Sequence, residues 1–230
     1  MLILTKIKII GRITGQKNRF INREMINLQK FNYPLCRGTT TTMHQLILFA
    51  SGRGSNVQAI IDHFATNAKA RVVLIVCNNP QAGVLDIAAR HHIPVQLIDK
   101  KAFRSEEFIN LLRGYDPALL VLAGFLWKVP EAVVQAFPGR MINVHPALLP
   151  KYGGKGMYGS HVHEAVVAAG DKESGITIHY VNEHYDEGAT ILQAYCPVHD
   201  TDHALSLAEK IHRLEHFYFP KTVEFLLDQF

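Results

Sequence analysis

Residues 45–56 read QLILFASGRGSN and residues 141–150 read MINVHPALLP. In the first stretch an apolar run of strand length ends at Ser51-Gly52 and a glycine-rich turn follows. A run without polar alternation suits a strand buried on both faces, which is the habit of parallel sheets. In the second stretch Met141–His145 forms another short strand, closed by Pro146, whose ring cannot donate to a ladder.

Working outward, the chain alternates strand with helix. Asn56–Ala68 places Val57, Ile60, Ile61 and Phe64 at helical spacing. Arg71–Cys77 is β-branched and apolar, and Asn78-Asn79-Pro80 breaks it. Gly83–His92 predicts a helix, Val95–Ile98 a strand, and Ser105–Arg113 a helix capped by Ser105 with Glu106 and Glu107 in its first turn. Leu119–Ala123 reads as a strand and Pro130–Phe137 as a helical turn. Strands separated by helices imply crossovers and a parallel, Rossmann-like sheet. Gly175–Val181 and Thr190–Tyr195 then follow without a helix between them, an antiparallel addition to an open α/β sheet. A last helix is expected from about His203 to Phe230, kinked at Pro220.

Charge divides the chain. Of 24 Lys+Arg and 20 Asp+Glu, residues 1–42 hold eight bases and one acid, a net of +7, while the other 188 residues net −3. A uniformly basic, nucleic-acid-coating body is therefore not expected. We read residues 1–42 as a basic leader, unstructured or dispensable, with Met43 as a workable start of a domain spanning 43–230. An organelle transit peptide or a nucleic-acid arm shares this charge pattern. Cys36, Cys77 and Cys196 are odd in number and far apart, which indicates neither a disulfide framework nor a thiolate zinc site. Lys6 and Lys8 interrupt the apolar start, and no run reaches the roughly 20 residues that span a bilayer. The expected location is cytoplasmic, with no membrane partner.

Two loops carry chemistry. Gly52, Arg53, Gly54, Ser55 and Asn56 join strand to helix, so the backbone can approach a ligand and the helix start can offer N–H groups to a phosphate. A dinucleotide fingerprint would need a third glycine where Val57 stands, and an acid near Asn78-Asn79. A monophosphate is the better match, against a plain tight turn. At 143–145 the two-residue period of a strand sets Asn143 and His145 on one face, at the C-terminal end where open parallel sheets bind ligands. Asparagine can donate to an oxyanion and histidine can carry a proton near neutral pH, so the pair is a candidate catalytic pair.

SGRGSN at 51–56, LAGFLWKVP at 122–130, NVHPALLPKY at 143–152 and DEGATILQA at 186–194 together resemble the folate-dependent formyltransferases, in the branch that acts on phosphoribosylglycinamide. The resemblance runs from about residue 44 to the C-terminus. It implies direct attack of the glycinamide amine on the formyl group of 10-formyltetrahydrofolate, through a tetrahedral intermediate, in purine biosynthesis. It implies Asn143 and His145 at the oxyanion, and Asp186 as the carboxylate that keeps the histidine protonated and assists proton transfer. It also implies Gly52 to Asn56 at the ribose phosphate and Glu215 near the substrate amine. Leu126, Trp127, Lys128 and Val129, with Asn143, would line the folate pocket. The partners implied are small molecules, with no metal and no nucleic acid, and the assembly is a monomer or homodimer. Read from the residues alone, Asp186 suits a turn with Gly188, and Leu126–Val129 suit core packing.

The chain departs from the pattern in three places. Glu106 stands where an arginine often meets the folate tail, with Arg104 as a possible substitute; Lys128 replaces a commoner arginine; and Gly153–Ser160 is a longer, glycine-rich loop. His212-Arg-Leu-Glu-His216 fits a zinc-protease pattern, but Leu207, Ile211, Leu214 and Tyr218 give that helix a packing stripe, and the chain has 13 histidines. His161-x-His163 is a weak metal pair. Within the fold, a formyltetrahydrofolate hydrolase is the rival enzyme, and a folate- or phosphate-binding module the rival without chemistry. A methionyl-tRNA formyltransferase would need a further domain, and only 35 residues follow Tyr195.

Overall fold

A computed structural model describes residues 7–9 and 43–229. Most of the basic leader therefore lies outside the described residues. The exception is β1 (Ile7–Ile9), which pairs antiparallel with β8 (Thr190–Pro197) through Ile7–Ala194, Lys8–Gln193 and Ile9–Leu192. The body then runs β2 (His44–Ala50), α1 (Ser55–Ala65), β3 (Ala70–Cys77), α2 (Val84–Arg90), β4 (Val95–Leu97) and, after a 3₁₀ turn at Ala102–Arg104, α3 (Glu106–Gly114). It continues through β5 (Leu119–Leu122), α4 (Glu131–Ala136), β6 (Met141–His145), α5 (Ser160–Ala168) and β7 (Glu173–Tyr180) to β8 and α6 (Ala204–Leu227).

The strands form one sheet in the order β1-β8-β7-β6-β5-β2-β3-β4. β2 pairs in parallel with β3 and β5, β3 with β4, and β5 with β6, whereas β7 and β8 are antiparallel additions. The expected open α/β sheet with an antiparallel C-terminal extension is the fold observed. Strand alternation explains how one central strand serves two cores. Leu46, Leu48 and Ala50 face the core under α1 and α6, and Ile47 and Phe49 face the core under α3 and α4.

One element differs from the sequence reading. α5 was not expected; a buried histidine, His163, sits between its core residues Val162 and Val166 and interrupts the apolar period that would have marked the helix. α6 runs as one helix of 24 residues with Pro220, the residue where a kink is expected, in its interior. The proline lacks an N–H for the preceding turn, but Thr222 Oγ1 donates to Tyr218 O at 2.9 Å and Lys221 Nζ to Phe217 O at 3.3 Å. Cys77 and Cys196 are buried free thiols, and burial raises Cys196 to about 11, so Cys196 offers no thiolate.

Strand order changes direction between β2 and β5, and crevices of open sheets form at that point, beyond the strands' carboxyl ends. The loops that leave these strands are bound together: Ser51 N donates to Gly124 O at 3.0 Å, and Leu126 N to Ser51 Oγ at 2.9 Å. The site residues expected from sequence lie around this crevice.

Candidate active site

The glycine loop forms one wall. Gly54 has φ +80°, and a Cβ there would stand 2.8 to 2.9 Å from Val84 and Ile87 of α2. Only glycine satisfies both the left-handed backbone and the close helix contact. Because Gly54 is also the residue before α1 and has no side chain to cap it, the first-turn amides of α1 are left to other partners. Asn56, in that first turn, donates Nδ2 to Glu215 Oε2 of α6 at 3.0 Å, and its own Oδ1 is buried without a partner among the described residues. Glu215 is itself buried, and burial raises its carboxyl to about 7 against the lowering effect of the Asn56 hydrogen bond.

The opposite wall is built on β6 and β7. Register places Asn143 directly across from His179, and Asn143 Nδ2 lies 3.2 Å from His179 Nε2. His179 Nδ1 donates to Tyr180 O at 2.8 Å, so Nε2 is its acceptor and Asn143 keeps a second N–H for another partner. Asp186 stands between two imidazoles, with Oδ2 3.5 Å from His145 Nδ1 and Oδ1 3.7 Å from His179 Nε2. It has φ +57° and accepts the amide of Gly154 at 2.9 Å. His145 donates Nε2–H to Tyr152 O at 2.7 Å, leaving Nδ1 toward Asp186. Gly188 explains the spacing after Asp186: a Cβ there would lie 1.7 Å from Tyr180 O, the carbonyl that fixes the His179 tautomer.

Asn143, His145 and Asp186 are thus brought together as the sequence implied, and His179 joins them unforeseen. The signal was available, since His179 occurs in the strand GITIHYV, but only strand pairing sets it opposite Asn143. Electrostatics correct one expectation. Asp186 does favour the imidazolium of His145, as does the Tyr152 carbonyl, but burial outweighs both and holds the ring below its ordinary value. His179 is likewise lowered, by burial first.

The segment expected to meet folate is unevenly exposed. Leu126 is 48% exposed, whereas Val129 lies in the core under α3 and α4. Trp127 leans on Phe103 and Phe125, ring centres 6.2 and 6.3 Å away, and Lys128 Nζ reaches to 5.7 Å from the Tyr185 ring. Glu106 opens α3, and Arg104 closes the preceding turn. The alternative zinc readings find no support in geometry. His212 and His216 stack on one helix with centroids 6.1 Å apart, and no group of three potential metal ligands occurs among the described residues. His163 is buried, its Nδ1 is without a partner among those residues, and burial with His212 nearby takes it to about 4. No helix among the described residues is long and apolar enough to cross a membrane.

Comparison with known proteins places the chain in one family. The profile of the family described as formyl transferase matches residues 44–223. A chloroplastic phosphoribosylglycinamide formyltransferase of Arabidopsis thaliana is 40% identical over 187 residues, which are 78% of this chain and 64% of that protein. The chain thus spans just under two thirds of that relative. The Bacillus subtilis phosphoribosylglycinamide formyltransferase is 35% identical over 80% of this chain and 95% of its own length. Among solved structures, the phosphoribosylglycinamide formyltransferase of Anaplasma phagocytophilum superposes with a TM-score of 0.74 at 34% identity, covering 82% of this chain and 89% of that one.

Proposed function

The chain belongs to the formyl transferase family, and on that premise we propose that it transfers the formyl group of 10-formyltetrahydrofolate to the amine of phosphoribosylglycinamide, a cytoplasmic step of purine biosynthesis. The observation that carries this reading is the cluster of Asn143, His145, His179 and Asp186 across the crevice from the α1 amides. The glycine loop and the first turn of α1 hold the ribose phosphate. Glu215 lies behind that turn, within reach of Asn56, and orients the amine end. Leu126 offers an apolar face for a flat ring, with Trp127 backed by an aromatic cluster, so the residues present suit a folate. The folate supplies the formyl group.

The chain's own residues govern charge and protons. As the amine attacks the formyl carbon, the carbonyl electron pair moves to oxygen, and the second N–H of Asn143 and the Nδ1 side of His145 stabilise that oxygen. Asp186 favours the protonated imidazole just when negative charge develops, against the burial that holds His145 below its ordinary value. The amine proton passes by way of Asp186 to the departing nitrogen as that nitrogen's bond to the formyl carbon breaks, so no net proton is gained or lost. No covalent bond to the protein is needed.

The test is a spectrophotometric assay of 10-formyltetrahydrofolate deformylation with and without phosphoribosylglycinamide. Turnover should require the glycinamide. It should fall by about 10²–10³ in Asn143→Ala, the cost of removing one oxyanion donor, and at least as far in His145→Ala. Formate release without the glycinamide would replace this reading with the hydrolase, and ligand binding without turnover would leave only a binding module.

A further inference from the structure

The end of the matched string NVHPALLPKY and the start of the glycine-rich loop after it touch two of the protonatable groups of the cluster. Tyr152 O accepts His145 Nε2–H at 2.7 Å, and two residues later Gly154 N donates to Asp186 Oδ2 at 2.9 Å. Tyr152 holds φ +59°, a left-handed backbone that a residue with a bulky side chain adopts only when its surroundings impose it. What imposes it lies at the other end of the same residue. The Tyr152 hydroxyl donates to Asp171 Oδ2 at 2.8 Å, and Lys151 Nζ reaches both oxygens of Asp171 at 2.6 and 2.7 Å. Asp171 sits in the short turn between α5 and β7, so its position is set by the sheet and independent of the loop. The strand below is pinned in turn, because Thr177 Oγ1 donates to Ala147 O at 2.7 Å and accepts Leu149 N at 3.0 Å.

We propose that Tyr152 is a positioning residue for His145: Asp171 anchors its hydroxyl, and that anchor keeps the Tyr152 carbonyl on Nε2, so that Nδ1 is the nitrogen offered to substrate and to Asp186. Imidazole has two nitrogens, and in the neutral ring only one carries the proton. A carbonyl can only accept, so a carbonyl fixed on Nε2 selects the Nε2–H tautomer and leaves Nδ1 free to gain and lose a proton. The same anchor holds the Gly154 amide on Asp186, which directs the carboxylate toward Nδ1 instead of letting it swing toward His179 alone. Lys151 contributes to Asp171 but does not touch either catalytic group, so its part is secondary.

This inference rests on the reading that His145 acts on substrate, and its test separates the two. The ¹⁵N shifts of the His145 ring report which nitrogen is protonated, without any substrate. In the unaltered chain they should show one tautomer, Nε2–H. In Tyr152→Phe and Asp171→Asn they should show a mixture of tautomers, in proteins whose melting midpoints stay close to the parent. Turnover should fall roughly tenfold to a hundredfold, with KM for both substrates within about twofold, since misplacement of a reacting group lowers kcat more than binding. Lys151→Met should stay within about threefold of the parent, and Asp171→Glu, which keeps the carboxylate, should recover part of the loss. An unchanged tautomer with unchanged kcat in folded Tyr152→Phe would overturn the proposal, and that variant serves even if Asp171→Asn fails to fold. Loss of the tautomer in a chain that proves inactive on both substrates would uphold the positioning and overturn the functional reading alone.

Discussion

Glu215 carries a carboxyl into the interior of α6 with Asn56 Nδ2 as a hydrogen-bond partner at 3.0 Å. Its folded value of about 7 lies above the ordinary 4.5, so the unfolded chain ionises first as pH rises. Below 4.5 both states are protonated and burial of the group costs nothing electrostatically. Between 4.5 and 7 stability declines, and above 7 the full penalty of roughly 3 kcal/mol is present. Glu215→Gln keeps a partner for Asn56 and removes the charge. Its advantage over the parent in urea unfolding should therefore grow from pH 5 to pH 8, toward roughly 3 kcal/mol, while turnover drops. Parallel stability curves across that range would show that Glu215 is not ionised at a cost in the folded chain. Sequence alone placed Glu215 near the substrate only by resemblance, because the partner that makes its burial tolerable is 159 positions away.

Among elements, the turn from β2 into α1 is the most legible in the sequence, and its two glycines do different work. Gly54 is fixed by a positive φ and by contact with Val84 and Ile87, whereas a Cβ on Gly52 would meet nothing within 4 Å. Gly54→Ala should destabilise the chain by about 2–4 kcal/mol, from left-handed strain added to overpacking on α2. Gly52→Ala should cost less than about 1 kcal/mol. Urea midpoints of the two variants measure this difference, and equal losses would mean that the loop lacks the tight contact with α2. The α5 helix was the least legible element. Its core face is shared by Val162, His163 and Val166, and a histidine in a core position reads as polar until its burial is known.

For the whole molecule, the question is what the first 42 residues add. Their described part is β1, three residues paired on the outer edge of β8, while the buried hydrophobic residues described begin at Leu46. We propose that 43–230 is the folding and catalytic unit. A chain starting at Met43 should keep its turnover within about twofold and lose no more than about 1–2 kcal/mol, the scale of a few cross-strand pairs. A larger loss in urea unfolding, or loss of turnover, would make the leader part of the unit.

The sequence by itself determined what depends on neighbours along the chain. Apolar runs of strand length alternating with helical spacing dictated the parallel sheet, the absence of a helix between β7 and β8 dictated the antiparallel end, and Asn143-Val-His145 dictated two polar groups on one face. Local sterics and period settle such features, so they can be read in order. The tertiary structure decided what depends on residues that pairing and loop return bring together. It set His179 beside Asn143, placed Asp186 between two histidines, and put the Tyr152 carbonyl on His145. It also decided the balance at His145, because the cost of burying a charge is a property of the surrounding fold and outweighed the carboxylate that the family resemblance implied would prevail.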